Sequence, residues 1–330
     1  MVKCIVLRDV CHPFFHEEVT NMTPPTPLPL VSVLIVNYNS GSYAAKAIKS
    51  LLRQKNVELD IIVVDNASQD DSLVKLDAVK VLASDLAKIT IMANSENLGF
   101  GRANNLAANH AIGQYVLILN PDTELNDTHL ICSLINAMQH NPRLGLIAPR
   151  IHEPTKKKQV LARYQYPSQS ALRHTTTLLH LPGEIAWVLG ACMLTTLDIY
   201  QKINGFDEDY FLYGEDVDIC LRIRQLGYEI GFSPDHSLTH VGGASEIGAP
   251  SYDKWLRKRR GKCLFIKKHY HPKDISAIAN VLIRNTQVYL MAYKLKKMFR
   301  KKDTLKQTDH YYRLTATLTA ARELLATTQA

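Results

Sequence analysis

The chain has 330 residues, 46% of them apolar, which suits one sizeable α/β core with an appendage rather than a string of small domains. Its formal charge is +8, yet Ser251 to Lys302 alone carries sixteen Lys and Arg against Asp253 and Asp274, so the rest of the chain is net acidic and the basic excess is regional. No apolar stretch approaches the roughly 18 residues of a membrane span, and the six cysteines (Cys4, Cys11, Cys132, Cys192, Cys220, Cys263) lack metal-ligand or disulfide-framework spacing, which points to reduced thiols in the cytoplasm.

Met1 to Val10 include Arg8 and Asp9 and lack the apolar run of a cleaved signal peptide. Met22 to Leu30, rich in Pro and Thr, reads as a linker, so residues 1–29 are expected to form an extension. Val31 to Val36 is a strand that runs into the turn-forming Asn37-Tyr38-Asn39-Ser40-Gly41. Ala44, Ala47, Ile48, Leu51 and Leu52 then recur at helical spacing. Ile61 to Val64 is a second strand, closed by Asp65-Asn66-Ala67-Ser68. Ile89 to Met92 is a third, followed by Asn97-Leu98-Gly99-Phe100-Gly101 and a helical pattern from Arg102 to Ala111. Tyr115 to Leu119 is a fourth, wholly apolar, and stops at Asn120-Pro121-Asp122-Thr123.

Alternating strands and helices predict a mostly parallel sheet wrapped by helices, an α/β/α sandwich. A polar cluster follows every strand, so Asn37, Asp65, Asn97 and Asp122 collect along one edge. That edge, the carboxyl ends of the strands, is where open α/β sheets bind ligands. The carboxylate of Asp122 and the amide of Asn120 suit a divalent cation that grips a diphosphate, although Asn, Pro and Asp also serve as plain strand-ending turns. Further on, Trp187 and Gly190-Ala191 precede an apolar strand. Glu215-Asp216-Val217-Asp218 leads into an amphipathic helix from Ile219 to Leu226, where acids also act as caps.

The ordered series VSVLIVNYNSG, IIVVDNASQDDS, NSENLGFGRANN, YVLILNPDTEL, WVLGACML, GFDEDYFLYGEDVDICLRIRQLGY and HVGGAS resembles the family 2 glycosyltransferases, and among them the rhamnosyltransferase-type enzymes of bacterial cell-surface polysaccharides. The resemblance runs from about Val31 to Tyr270 and implies a catalytic domain over residues 30–272 with the Rossmann-like A-type glycosyltransferase fold. It also implies a nucleoside-diphosphate sugar donor, a divalent metal (Mg or Mn) and inversion at the anomeric carbon. Asp122 and His240 resemble the metal or diphosphate ligands, with Asn120 a weaker or water-mediated one. Asp216 resembles the general base, with Glu215 and Asp218 in support. Asn37, Tyr38, Asp65, Asn97, Gly99 and Arg102 resemble the nucleotide-sugar pocket, and Trp187, Gly190 and Ala191 the floor near sugar and acceptor. A saccharide or lipid-linked acceptor is implied, with deoxythymidine-diphosphate rhamnose the first choice of donor and a uridine-diphosphate hexose the second.

A sugar-phosphate nucleotidyltransferase would need a Gly-rich loop with a basic end after Val31 to Val36, where Tyr38-Asn39 stands. A non-catalytic scaffold would not need Asp65, Asp122, Asp216 and His240 together. A polymerising synthase would bring membrane helices and a Gln-x-x-Arg-Trp element, and the sequence has neither. In the C-terminal region, residues 273–330, Val281, Leu282, Val288, Tyr289, Ala292, Leu295 and Phe299 share one helical face, with Lys294, Lys297 and Lys301 opposite. That pattern fits a helix lying in an anionic membrane surface, peripheral on its inner face, or an amphipathic helix packed on the domain. No nucleic-acid reader motif accompanies the charge, so nucleic acid is not expected as a partner; an oligomer stays open.

Overall fold

The four apolar runs become four parallel strands at one half of the sheet. In this computed structural model, which describes residues 27–154, 157–242, 251–298 and 304–328, β1 (Leu30–Asn37), β2 (Glu58–Asp65), β3 (Ala87–Ala93) and β4 (Tyr115–Leu119) lie in the order β3-β2-β1-β4. The expected extension up to residue 26, with Gly243, Phe299 and Lys301, lies outside the described residues. Alternate side chains of β1 and β2 enter opposite cores. Val31, Val33, Ile35, Ile61 and Val63 meet α1 (Gly41–Leu51), α2 (Ser72–Lys80) and α4 (Leu130–His140). Leu34, Val36, Ile62 and Val64 meet α3 (Phe100–Ala108), α5 (Leu197–Lys202) and α6 (Glu215–Gln225). Burial on both faces is why these strands read as continuous apolar runs. Each buried aliphatic side chain contributes roughly 1.5–3 kcal/mol by leaving water, so stability sits in the strand centres rather than in the polar residues at their ends.

The other half of the sheet is mixed. Next to β4 come antiparallel β8 (Cys192–Thr196), then β6 (Leu144–Glu153), β9 (Glu229–His240) and the two-residue β5 (Thr123–Glu124), with β7 (Lys158–Val160) beside β6. β6 and β9 run parallel, and most paired positions of the whole sheet are parallel. The β5–β9 ladder pairs Thr123 with His240 and so closes the sheet next to Asp122.

Three helices finish the chain: α7 (Tyr252–His269), α8 (Pro272–Met298) and α9 (Leu305–Ala326), with α9 packed on both others. Ile275, Ile278 and Ala279 of α8 and Leu324 of α9 share one core with Tyr166, Tyr210, Leu221 and Phe265. α8 and α9 therefore pack into the same body as the described residues before them. The buried stripe of α8 continues through Thr286, Leu290 and Tyr293. Most of the face expected from the sequence lies elsewhere on the helix: Val281, Val288, Tyr289, Ala292 and Leu295 are exposed, and Leu282 alone among its described members packs on the core. No helix among the described residues is long and apolar enough to cross a membrane. Cys132, Cys192, Cys220 and Cys263 are free thiols.

Candidate active site

A cavity of about 870 Å³ opens at the carboxyl ends of β1 and β4, where the strand order reverses direction. This is the switch point at which open α/β sheets take ligands, and the volume suits a nucleotide-sized molecule. Of the residues expected at the site, Tyr38, Asn97, Gly99, Asn120, Asp122, Trp187, Gly190, Ala191, Glu215, Asp216 and His240 line it. Asn37, Asp65, Arg102 and Asp218 do not form its wall.

Asp122 follows β4 and His240 ends β9, and the β5 ladder brings them together. His240 Nε2 lies 3.1 Å from Asp122 Oδ1 and 3.4 Å from the Asn120 amide nitrogen. Asp122 is further held from behind, its Oδ2 accepting the Gly242 N–H at 3.0 Å. Both side chains are more than nine-tenths buried, yet His240 Nδ1 has no hydrogen-bond partner. An unpaired buried nitrogen costs about 1–3 kcal/mol. Its nearest acid is Glu153 at 3.8 Å, at the end of β6, which is itself paired with Lys158 Nζ at 3.0 Å. A proton on Nδ1 facing Glu153 would leave the Nε2 lone pair beside Asp122. One imidazole and one carboxylate aimed into a cavity fit a divalent cation that keeps its remaining positions for water and phosphate oxygens. Among the described residues no group of three or more His, Cys, Asp and Glu side chains could hold an ion without such outside ligands.

The acidic segment reaches the cavity through a forced turn. Tyr213 has φ +74° and Gly214 φ +100°, a left-handed pair that aims the first turn of α6 at the cavity. Left-handed backbone at a non-glycine residue is a strain that clusters at functional sites. Burial raises both the Glu215 and Asp216 carboxyls above the ordinary carboxylate range, and for Glu215 the neighbouring Asp216 charge adds to it. For Asp216 the backbone N–H groups of Val217 and Gly190 oppose the rise, the Val217 bond measuring 2.9 Å. Gly190 is small for a reason: a Cβ there would sit 3.2 Å from Asp216 Cβ. The segment from Trp187 to Ala191 thus packs on the acid while tying Asn120 in place, the Asn120 N–H donating to Ala191 O at 2.9 Å.

Asp218 turns the other way. It is fully buried, accepting from Arg222 Nε at 2.6 Å and lying 2.7 Å from His269 Nε2. Burial pushes against its charge, but His269 and Arg222 hold it below the usual carboxylate range. Its position fixes α6 against α7.

On the opposite side of the cavity mouth, the Asn37 amide donates to Asp65 Oδ1 at 2.7 Å, and Ser68 donates to both Asp65 oxygens. The register places Asn37 opposite Asp65, so the two form a lock between strand ends behind the cavity. Asn66, next to Asp65, was not singled out in the sequence but lines the cavity and organises its rim. It donates to Asn97 Oδ1 at 2.8 Å and to Gly99 O, and accepts from Asn94 and the Leu98 N–H. Gly99 has φ +82°, which only glycine adopts freely, and a Cβ would meet the Phe211 carbonyl at 2.5 Å. Arg102 stands half-exposed, 3.5 Å from Glu208. Glu153 and the cavity-lining Lys254, Lys258 and Lys262 of α7 were also missed; the lysines were visible only as part of the regional basic excess.

Residues 32–203 match the profile of glycosyl transferase family 2, and residues 171–242 match one described as the N-terminal domain of galactosyltransferase. The N-acetylglucosaminyl-diphospho-decaprenol L-rhamnosyltransferase of Mycobacterium tuberculosis is 25% identical over 240 residues, covering 64% of this chain and 76% of its own. The rhamnosyltransferase WbbL of Escherichia coli K12 is 25% identical over 228 residues, 64% of this chain and 83% of its own. Among solved structures, the mannosyltransferase PcManGT from Pyrobaculum calidifontis, in complex with GDP-Man and Mn2+, superposes with a TM-score of 0.55 at 18% identity, covering 92% of this chain and 76% of its own.

Proposed function

The chain belongs to glycosyl transferase family 2 and has the A-type glycosyltransferase fold, and from that premise we propose an inverting transfer of rhamnose or a related hexose from a nucleoside-diphosphate sugar to a saccharide or lipid-linked acceptor in cell-surface polysaccharide synthesis. The observation that carries this reading is that one cavity joins the Asp122–His240 pair to the Asp216 carboxylate. Inversion in one displacement needs two things at once: a place for the charge of the departing diphosphate and a base for the attacking hydroxyl.

Asp122, His240 and Asn120 would hold a Mg or Mn ion, which when bound neutralises charge on the leaving diphosphate. Asn66, Asn97 and Gly99 shape the rim beside Tyr38, where the nucleotide enters. Asp216 takes the proton from the acceptor hydroxyl, and its raised pKa makes it a better base than an exposed aspartate while leaving it ionised near neutrality. The mostly apolar and small segment from Trp187 to Ala191 gives the sugar a surface to rest on. Incubation with a panel of nucleotide sugars, followed by release of nucleoside diphosphate, tests the function. Release from one donor, dependent on divalent metal and on Asp216, is the expected result; no release from any donor overturns it.

The exposed stripe on α8 supports attachment to an anionic membrane surface on the cytoplasmic side. Val288, Met291, Leu295 and Met298 are each more than half exposed on a helix whose other face is already buried, and Lys294 and Lys296 stand close by. An apolar face framed by lysines is what an interfacial helix presents.

A further inference from the structure

Glu153 stands where two strand pairings meet. The antiparallel β6–β7 pairing puts Lys158 opposite it. The parallel β6–β9 pairing sets His152 beside Thr239, so the next residue of each strand, Glu153 and His240, come side by side at the end of the sheet. The carboxylate thus lies between a cation and an imidazole. Its Oε2 is 3.0 Å from Lys158 Nζ, and its Oε1 is 3.8 Å from His240 Nδ1. All three residues line the cavity, but Lys158 is half exposed whereas Glu153 and His240 are buried.

A neutral imidazole carries one proton, and an ion that takes Nε2 leaves that proton on Nδ1. Nδ1 is buried and has no hydrogen-bond partner, so an ion at Nε2 would turn it into a buried donor in need of an acceptor. The Glu153 carboxylate beside it stands just beyond hydrogen-bond range, with Lys158 drawing it to the other side.

We propose that Glu153 is a positioning residue for His240, accepting the Nδ1 hydrogen bond that aims the Nε2 lone pair at the ion, and that Lys158 competes for the same carboxylate. The assignment rests on the metal site of the function above and adds to it an ion pair outside the ligand set that tunes it. Lys158, half exposed on the three-residue β7, gives up the pair to water at little cost, as surface ion pairs do. Glu153, being buried, has to trade one partner for the other. The two members of one ion pair therefore act on the ion in opposite directions.

Mn2+ binding to the full-length protein, followed by calorimetry without nucleotide, reads this directly. Glu153→Met should weaken it by about tenfold or more. Glu153→Gln, which keeps an acceptor oxygen, should recover most of that loss. Lys158→Met should tighten binding severalfold with an unchanged melting temperature. In Glu153→Met/Lys158→Met that gain should disappear, because no carboxylate is left to release. A merely structural ion pair predicts weaker binding from both single substitutions, and that result overturns the proposal. Glu153→Gln behaving like Glu153→Met, with effects that add in the double variant, assigns the effect to charge alone and also overturns it. Should Glu153→Met not fold, Lys158→Met decides: unchanged or weaker Mn2+ binding overturns the proposal. Wild type that binds no Mn2+, or binds it equally after Asp122→Ala, overturns the metal site and the proposal with it. Binding that needs Asp122 and His240 but ignores Glu153 overturns the proposal alone.

Discussion

His240 Nε2 lies 3.1 Å from Asp122 Oδ1 because a two-residue strand, β5, pairs Thr123 with His240. The same ladder leaves the two side chains in the cavity and away from the strand centres that carry stability. Asp122→Ala and His240→Ala should therefore fold normally, with melting temperatures within a few degrees of wild type. Transfer should fall by about 10²-fold or more in each, given the share of barrier lowering that charge stabilisation supplies. Titration with Mn2+ followed by calorimetry should show loss of binding in both variants. Full activity in excess chelator would remove the metal from the mechanism.

Asp216 is held above the ordinary carboxylate range by burial. Only its ionised form accepts a proton, so kcat/KM should rise with pH through a midpoint higher than that of a solvent-exposed aspartate, about 3.9. Asp216→Asn preserves shape and should cost about 10²-fold or more in turnover while donor binding persists. The acid limb should vanish with it. An Asp216→Asn protein with near wild-type turnover, or an acid limb unchanged in that variant, would assign the proton transfer to another group.

Glu215 behaves as a stability switch of the opposite kind. Its pKa is raised by burial and by the Asp216 charge, and its Oε2 lacks a hydrogen-bond partner. The folded protein thus holds a proton that the unfolded chain releases near pH 4.3, so stability falls as pH rises from there through the folded pKa. Glu215→Gln removes that loss. The variant should be clearly more stable than wild type at pH 8 and nearly equal to it at pH 4. A difference of the same size at both pH values would contradict a titrating origin.

Asp274 ties the first turn of α8 to residues 173–175, part of the segment between Pro167 and Trp187, whose two ends line the cavity. Its carboxylate accepts the N–H of Arg173 at 2.9 Å, of His174 at 2.9 Å and of Thr175 at 2.6 Å, and the Thr175 hydroxyl at 2.7 Å. Burial opposes the charge, but His174, Thr175 and the backbone donors hold the carboxyl well below its usual range. Asp274→Ala strands several donors at once and should cost on the order of 3 kcal/mol in denaturant unfolding. Because the folded pKa is depressed, this contribution is complete above pH 4 and is lost as pH falls toward the folded value. A loss below about 1 kcal/mol at pH 7 would show that the loop holds by packing alone.

The first half of the sheet was legible because β1, β2 and β4 are buried on both faces and read as unbroken apolar runs. β6 and β9 were not, since LGLIAPRIHE and EIGFSPDHSLTH mix polar residues with Pro149 and Pro234, and their ladder shifts register beside Pro149. Glu153 was hidden for the same reason, at the end of a strand without a pattern. The polar strand ends were visible as a group, but which of them face the cavity depends on the turn after each strand: Asn66 faces in and Asp65 faces the Asn37 amide. On α8 the sequence presents two apolar stripes, and only the fold decides which one is buried, since the buried stripe includes Thr286 and the exposed one Val288 and Leu295.

That exposed stripe carries the last prediction. If α8 lies on an anionic membrane, the protein should co-sediment with phosphatidylglycerol vesicles and be released as salt rises, because each surface lysine contributes roughly 1 kcal/mol that salt screens. Val288→Ser/Leu295→Ser should weaken vesicle binding severalfold at low salt with little change in melting temperature, as both side chains are more than half exposed. Leu290→Ser and Tyr293→Ser, on the buried stripe, should do the reverse: they should lower the melting temperature, since each loses a packed side chain worth roughly 1.5–3 kcal/mol. Neither exposed substitution touches the cavity, so release of nucleoside diphosphate from a soluble donor should be unaffected. Equal vesicle binding by wild type and the Val288→Ser/Leu295→Ser variant would detach the helix from the membrane.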